Sequence, residues 1–204
     1  MEILSMARKY ENTELRQRQI VDAARKVIIK YGSENLTVKK IAKEVGISET
    51  GVYRHFKSKR DILFLLVEYI EQILLEDISR DTNKGHKPLE ILNDGLRNQI
   101  SAIEKRRGIS FQVIAEIISL GDKKLNSRVS HTIERYTGCL KDLLAEGVKS
   151  GEVRDDIDLD AAATALFGIV QGLVNIWSLR NYDFDPEERF AALWSIYRQA
   201  IIKR

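Results

Sequence analysis

The sequence predicts an all-α protein of about nine helices, a small N-terminal head followed by a larger C-terminal body. Three observations carry this. Apolar residues recur at helical spacing along most of the 204 residues, and only two prolines, Pro88 and Pro186, occur among them. Gly32, Gly46, Gly121 and Gly151 punctuate the pattern, each closing an apolar run. Charge also divides the chain. Residues 1–60 hold 14 Lys or Arg against 7 Asp or Glu, while the rest holds 19 against 23.

Residues 1–12 are expected to form a loose arm, with Met6 an alternative start. The head is expected over residues 13–60 and the body over residues 61–204. Helix 1 is placed at 13–31, with Ile20, Ala24, Val27, Ile28 and Tyr31 on one face and Gly32 as its stop. Helix 2, at 37–45, has Val38, Ile41, Ala42 and Val45 at i, i+3, i+4 and i+7. Thr37 caps it, and Gly46 supplies a left-handed end. Small Ala42 allows a close crossing, and Ile47 fills the angle before Ser48 caps helix 3 at 49–56. Val52 and Phe56 then face inward.

Ser58-x-x-Asp61 is a capping-box-like start for helix 4, which runs to about residue 80. Its apolar face reads Ile62, Leu65, Leu66, Tyr69, Ile73 and Leu74. The run DTNKGHK at 81–87 reads as a linker, and Pro88 suits the first turn of helix 5 at 88–104. A basic knot, Lys105-Arg106-Arg107-Gly108, separates it from helix 6 at 109–120. Gly121-Asp122 precedes helix 7 at 123–149. An acidic loop at 152–158 leads to helix 8 at 159–179, and a turn at 181–185 leads to helix 9 at 186–202.

Helices 2 and 3 have the layout of a helix-turn-helix. A groove-reading helix needs short or planar polar groups near its N-terminus and phosphate donors at its edges. Glu49, Thr50, Gly51 and Tyr53 meet the first need, and Tyr53, Arg54, His55, Lys57 and Lys59 the second. Duplex DNA is the partner this pattern implies, and the basic head on a mildly acidic body agrees with it.

The stretch YGSENLTVKKIAKEVGISETGVYRHFKSKRDIL resembles the N-terminal domain of TetR-family transcriptional regulators. The resemblance is dense over residues 18–66 and looser through the helical remainder, including GEVRDDIDLDAAATALFGIVQGLVNIW at 151–177. It implies that Thr37, Tyr53, His55 and Lys59 contact phosphates, and that Glu49, Thr50, Gly51 and Tyr53 lie near base edges. Glu49 is a departure, because an acid accepts from cytosine N4 but repels phosphate.

The resemblance further implies that the last two helices form a four-helix bundle with a second copy. Helix 8 offers Ala161, Ala165, Gly168 and Gly172 on one stripe, and helix 9 offers Phe190, Trp194, Tyr197 and Ile201. A homodimer also follows from DNA geometry, since a two-fold protein reads half-sites about 34–36 Å apart. A small-molecule cavity in the body is implied as well. Its candidate walls are Leu66, Ile70, Ile103, Phe111, Ile114, Ile117, Tyr136, Leu140, Phe167 and Val170, and its candidate polar groups are Gln112, Glu116, Gln171 and Asn175. The 151–177 segment is loosely similar to regulators of fatty-acid metabolism in this family. The expected effector is therefore hydrophobic or amphipathic, with acyl-CoA or fatty acid first. The expected function is a repressor released from a palindromic operator. A lipid-binding protein, a corepressor mode and an activator stay open.

Cys139 is the only cysteine, so no intrachain disulfide is possible, and its setting suggests a small buried hydrophobe. No secretory signal is expected. No stretch is expected to reach the roughly 18 apolar residues of a membrane span, so the protein is expected in the cytoplasm with no membrane partner. Histidines are few, and no metal-spaced cluster, phosphate loop or nucleophile motif occurs. No enzyme activity, metal or cofactor is expected.

Overall fold

The computed structural model describes residues 2–79, 87–105 and 109–203, and the side chains of 13–76, 87–105 and 113–203. Nine α-helices lie among the described residues: α1 Glu2–Tyr31, α2 Val38–Val45, α3 Glu49–Tyr53, α4 Lys59–Ser79, α5 Pro88–Lys105, α6 Ile109–Ser119, α7 Lys123–Lys149, α8 Leu159–Leu179 and α9 Pro186–Ile201. A 3-10 turn, Ser33–Asn35, follows α1. The linker at 81–86 and the knot at 106–108 lie outside the described residues.

Two boundaries differ from expectation. The arm at 1–12 is helical from Glu2 onward, because nothing between Glu2 and Tyr31 breaks a helix: the run holds no glycine and no proline. At the other extreme α3 stops at Tyr53, and residues 54–56 form a turn in which the His55 and Phe56 N–H groups both donate to the Val52 carbonyl. Phe56 stays buried all the same.

The chain divides into two compact units. The first is Met1–Tyr69 with Val113–Val129, and the second is Ile70–Gln112 with Ser130–Arg204. The dividing points fall inside α4, α6 and α7, so the first unit holds more than the helix-turn-helix head. A three-helix head alone has little interior. It gains Ile62, Leu63, Leu66 and Val67 from α4, with Val113, Ile117, Leu125 and Val129, all of them buried.

In the first unit, α1 packs on α2 and α2 on α3. The Lys40 N–H donates to Thr37 Oγ1 (3.2 Å), and the Gly51 N–H to Ser48 Oγ (3.0 Å), so both predicted caps form. Gly46 takes φ +80°, and the Gly46 and Ile47 N–H groups both donate to the Ala42 carbonyl, which closes α2. Ala42 and Ile41 are buried at the crossing. Tyr31 departs from its expected inward position: it is exposed, with the Lys40 ammonium 4.9 Å from its ring centre.

In the second unit, α9 packs on both α5 and α8. Asp158 and Asp185 cap α8 and α9, each accepting two backbone N–H groups. The α7 terminus turns through Gly151 (φ +78°) into a bridge between Val153 and Ile202. Gly147 lets this turn pack closely, since a β-carbon would sit 2.7 Å from Val153 Cγ2 and force that side chain to move.

Two further expectations are corrected. Helix α8 is long and apolar enough to cross a membrane by length and composition, with mean hydropathy 1.5. Its apolar character serves two faces at once, one buried in the protomer and one outward. Cys139 is half-buried rather than fully buried, and burial raises its thiol pKa.

Candidate nucleic-acid interface and ligand-binding interior

Helix α3 presents its outer side to solvent on a short, doubly capped scaffold. Glu49, Thr50, Tyr53 and Arg54 are exposed there, as are Thr37 at the start of α2 and Lys57 after α3. Tyr53 is 54% exposed although it is aromatic, while its neighbour Val52 is buried. An exposed tyrosine beside Arg54 and Lys57 supplies donors that suit phosphate oxygens.

Gly51, His55 and Lys59 are half-buried. A β-carbon at Gly51 would meet only ordinary contacts, the nearest Ser48 Oγ at 3.4 Å, so the fold does not demand glycine there. His55 holds its place partly through its carbonyl, which accepts from Gln17 Nε2 at 3.4 Å. Lys59 Nζ donates to the Leu36 carbonyl at 3.2 Å. One of its three N–H groups therefore tethers the start of α4 to the residue preceding Thr37.

The residues expected to line one cavity divide between the two units. Leu66, Ile114 and Ile117 are buried in the first unit. Glu116 lies there too and accepts the Ser33 N–H at 3.0 Å, so its carboxylate holds the 3-10 turn. In the second unit Ile70, Ile103, Tyr136, Leu140 and Val170 are buried and Phe167 is half-buried. The Tyr136 and Phe167 rings meet edge to face at 5.8 Å. The side chains of Phe111 and Gln112 lie outside the described residues. Gln171 and Asn175 hydrogen-bond to each other at 3.0 Å, with Asn175 exposed. Gln171 itself is half-buried.

The interior holds polar groups that the sequence reading passed over. Tyr136 donates to Gln99 Oε1 at 2.6 Å, with Gln99 fully buried and its Nε2 without a hydrogen-bond partner. Glu71, also buried, accepts from Thr132 Oγ1 at 3.1 Å and pairs with Arg135. The signal was present in each helix. Gln99 interrupts the stripe Leu92, Leu96, Ile103 on α5, and Glu71 lies in the stripe Val67, Ile70, Leu74 on α4.

The small-residue stripe of α8 and the aromatic stripe of α9 part ways. Ala161, Ala165 and Gly168 are exposed and Gly172 is half-buried, and a β-carbon at either glycine would have no neighbour within 4 Å. No described residue calls for glycine at either position. Phe190, Trp194, Tyr197 and Ile201, by contrast, are buried within the protomer, so they are core and not an outer face. The Tyr197 hydroxyl donates to the Ala162 carbonyl at 3.0 Å, and burial pushes its pKa up to about 12. The outward apolar groups are instead Ile176, Leu179 and Ile196, at 55%, 82% and 69% exposure. A groove of about 350 Å³ runs between Gly168, Gly172 and Ile176 of α8 and Phe184 and Leu193.

A capped helix-turn-helix on an all-helical chain defines the class, a DNA-binding regulator. Residues 20–66 match the family of bacterial regulatory proteins, tetR family, and residues 68–197 match the C-terminal region of YsiA-like proteins. The chain belongs to the TetR family of transcriptional regulators. It is 28% identical to the nucleoid occlusion factor SlmA of Vibrio atlanticus, over 81% of this chain and 84% of that one. It is 26% identical to the fatty acid metabolism regulator protein of Bacillus subtilis, over 82% and 86%. Its fold is similar to that of the transcriptional regulator FadR from Bacillus subtilis, solved in complex with stearoyl-CoA. There the TM-score is 0.74 at 25% identity, covering 89% of this chain and 95% of that one.

Proposed function

We propose that this protein is a homodimeric repressor that leaves a palindromic operator when a long-chain acyl-CoA binds its body. The observation that carries the reading is the pairing of an outward polar recognition face with an apolar interior that buries a few polar groups. The likeness to a fatty acid metabolism regulator and to FadR with stearoyl-CoA supports acyl-CoA as the effector class. On this reading Thr37, Tyr53, Arg54, His55, Lys57 and Lys59 hold phosphates, and Glu49, Thr50, Gly51 and Tyr53 face base edges. Ile70, Ile103, Tyr136, Leu140 and Phe167 line the effector site. The second copy covers Ala161, Ala165, Gly168 and Gly172 with Ile176, Leu179 and Ile196. The protein acts where the DNA is, in the cytoplasm, and needs no cofactor.

Effector control requires only that acyl-CoA bind the DNA-free state better than the DNA-bound state. The test is capture of host genomic fragments by the purified protein, followed by titration of the recovered site with stearoyl-CoA. An inverted repeat that is retained without the ligand and released by it is the expected result. A recovered site that stearoyl-CoA does not release removes the effector assignment and leaves the regulator. Failure to enrich any site removes the operator reading.

A further inference from the structure

We infer that Gln99 reads the acyl carbonyl of the effector, with Tyr136 holding the amide in place. The inference rests on the acyl-CoA reading above and adds a named contact to it.

Gln99 is wholly buried on the apolar face of α5, with Leu92, Leu96, Ile100 and Ile103 buried on the same helix. Its Oε1 accepts the Tyr136 hydroxyl proton at 2.6 Å, which fixes the plane of the amide. The other end of that amide is Nε2, which has no acceptor. Among the described residues of the second unit it is the one buried side-chain donor in that condition. A buried donor without an acceptor carries the full desolvation penalty of its N–H groups, so the arrangement is relieved when an acceptor arrives.

The chemistry of that acceptor follows from the charges nearby. An ionised carboxylate buried against a neutral amide needs a cation to offset its desolvation. The adjacent arginine on α7, Arg135, is already paired with Glu71. Gln99 therefore suits an uncharged carbonyl oxygen, the thioester of an acyl-CoA rather than the carboxylate of a free acid. Tyr136 also meets Phe167 edge to face, which places the amide beside aromatic surface fit for an alkyl chain.

The probe pair is stearoyl-CoA and its thioether analogue, in which a methylene replaces the carbonyl and the chain and the coenzyme are kept. Affinities are measured on the full chain by calorimetry. The wild-type protein is expected to bind the thioester about tenfold tighter than the thioether or more. Gln99→Met, close in volume but without a donor, is expected to bind the two alike. The double variant Gln99→Leu, Tyr136→Phe removes both polar partners together and gives the same readout if Gln99→Met folds poorly. Equal binding by the wild type overturns the inference and leaves acyl-CoA as effector, as does a thioester preference that survives Gln99→Met. Binding of neither probe overturns both.

Discussion

The first unit carries its polar chemistry outside, and the second carries part of its own inside. In the first, Tyr53 stands 54% exposed on a five-residue helix, over the apolar interior of Val52 and Phe56. In the second, Gln99 and Thr132 have no exposure and Glu71 only 3%. An outward group such as Tyr53 is largely free of its own chain, so removing it changes what the unit binds and leaves the fold alone. Inward groups belong to the core and the site together, so stability and ligand binding change together when one is altered.

The largest effect should come from the core of the second unit. Phe190→Ala removes a fully buried ring that stacks on Trp194 at 6.4 Å between centres. The loss should be about 3–5 kcal/mol of stability, read as a lower denaturant midpoint. A midpoint close to wild type would mean that α9 is not core and that its aromatic stripe faces outward after all.

Tyr53→Ala comes next and should act on binding alone. A lost contact at a DNA interface costs about 1–3 kcal/mol, and a two-fold complex loses it twice. Operator affinity measured by fluorescence anisotropy should therefore fall at least tenfold, with an unchanged melting temperature. Affinity equal to wild type would remove α3 as the recognition helix, and a large drop in melting temperature would erase the contrast between the units.

Gly168→Leu sharpens the contrast within the second unit, where an outward feature is proposed to pair two copies. The added side chain meets no protomer atom within 4 Å of its β-carbon, so the protomer should fold normally. The dimer should weaken by about 1–3 kcal/mol through overpacking at a close helix crossing. Sedimentation at graded concentrations reads this directly, and an unchanged association constant would place the dimer surface elsewhere.

The same division explains what could be read in advance. Thr37, Gly46 and Ser48 announce their helices because capping and left-handed turns depend on local backbone chemistry. The nine helices among the described residues are all legible in the sequence, α2 and α3 most sharply for that reason. Periodicity fails where a helix is apolar nearly all round. On α4 it places Ile62, Leu66 and Leu74 correctly but selects Leu65 and Tyr69, which are not buried, and leaves Leu63, Val67 and Ile70, which are, off its face. It fails again on α9, where the aromatic stripe read as outward is core, whereas on α8 the small-residue stripe does lie on the outer side. Gln99 and Glu71 were visible as polar breaks in apolar stripes, but their partners Tyr136, Thr132 and Arg135 lie about 40 to 60 residues away, beyond any local pattern.

The smallest effect concerns Asp122, an acid in the first unit. Its Oδ1 accepts the Lys124 and Leu125 N–H groups at 3.0 and 3.2 Å, which caps α7, and its Oδ2 accepts from Arg60 Nε at 2.8 Å. The Leu125 N–H foremost, and then Arg60, hold its pKa below the usual aspartate value. A folded-state pKa below the unfolded one contributes stability that is fully present above the unfolded value, about pH 4, and is lost as pH falls through the folded value. Asp122→Asn keeps an oxygen to cap α7 but has no charge to lose. Melting temperatures of the two proteins should thus separate slightly above about pH 4 and converge below it. The separation stays small because the half-buried carboxylate and the exposed Arg60 both keep contact with solvent, which screens the pair. A constant gap across that window would show that folding does not lower the Asp122 pKa, so that neither the Leu125 N–H nor Arg60 stabilises its charged form.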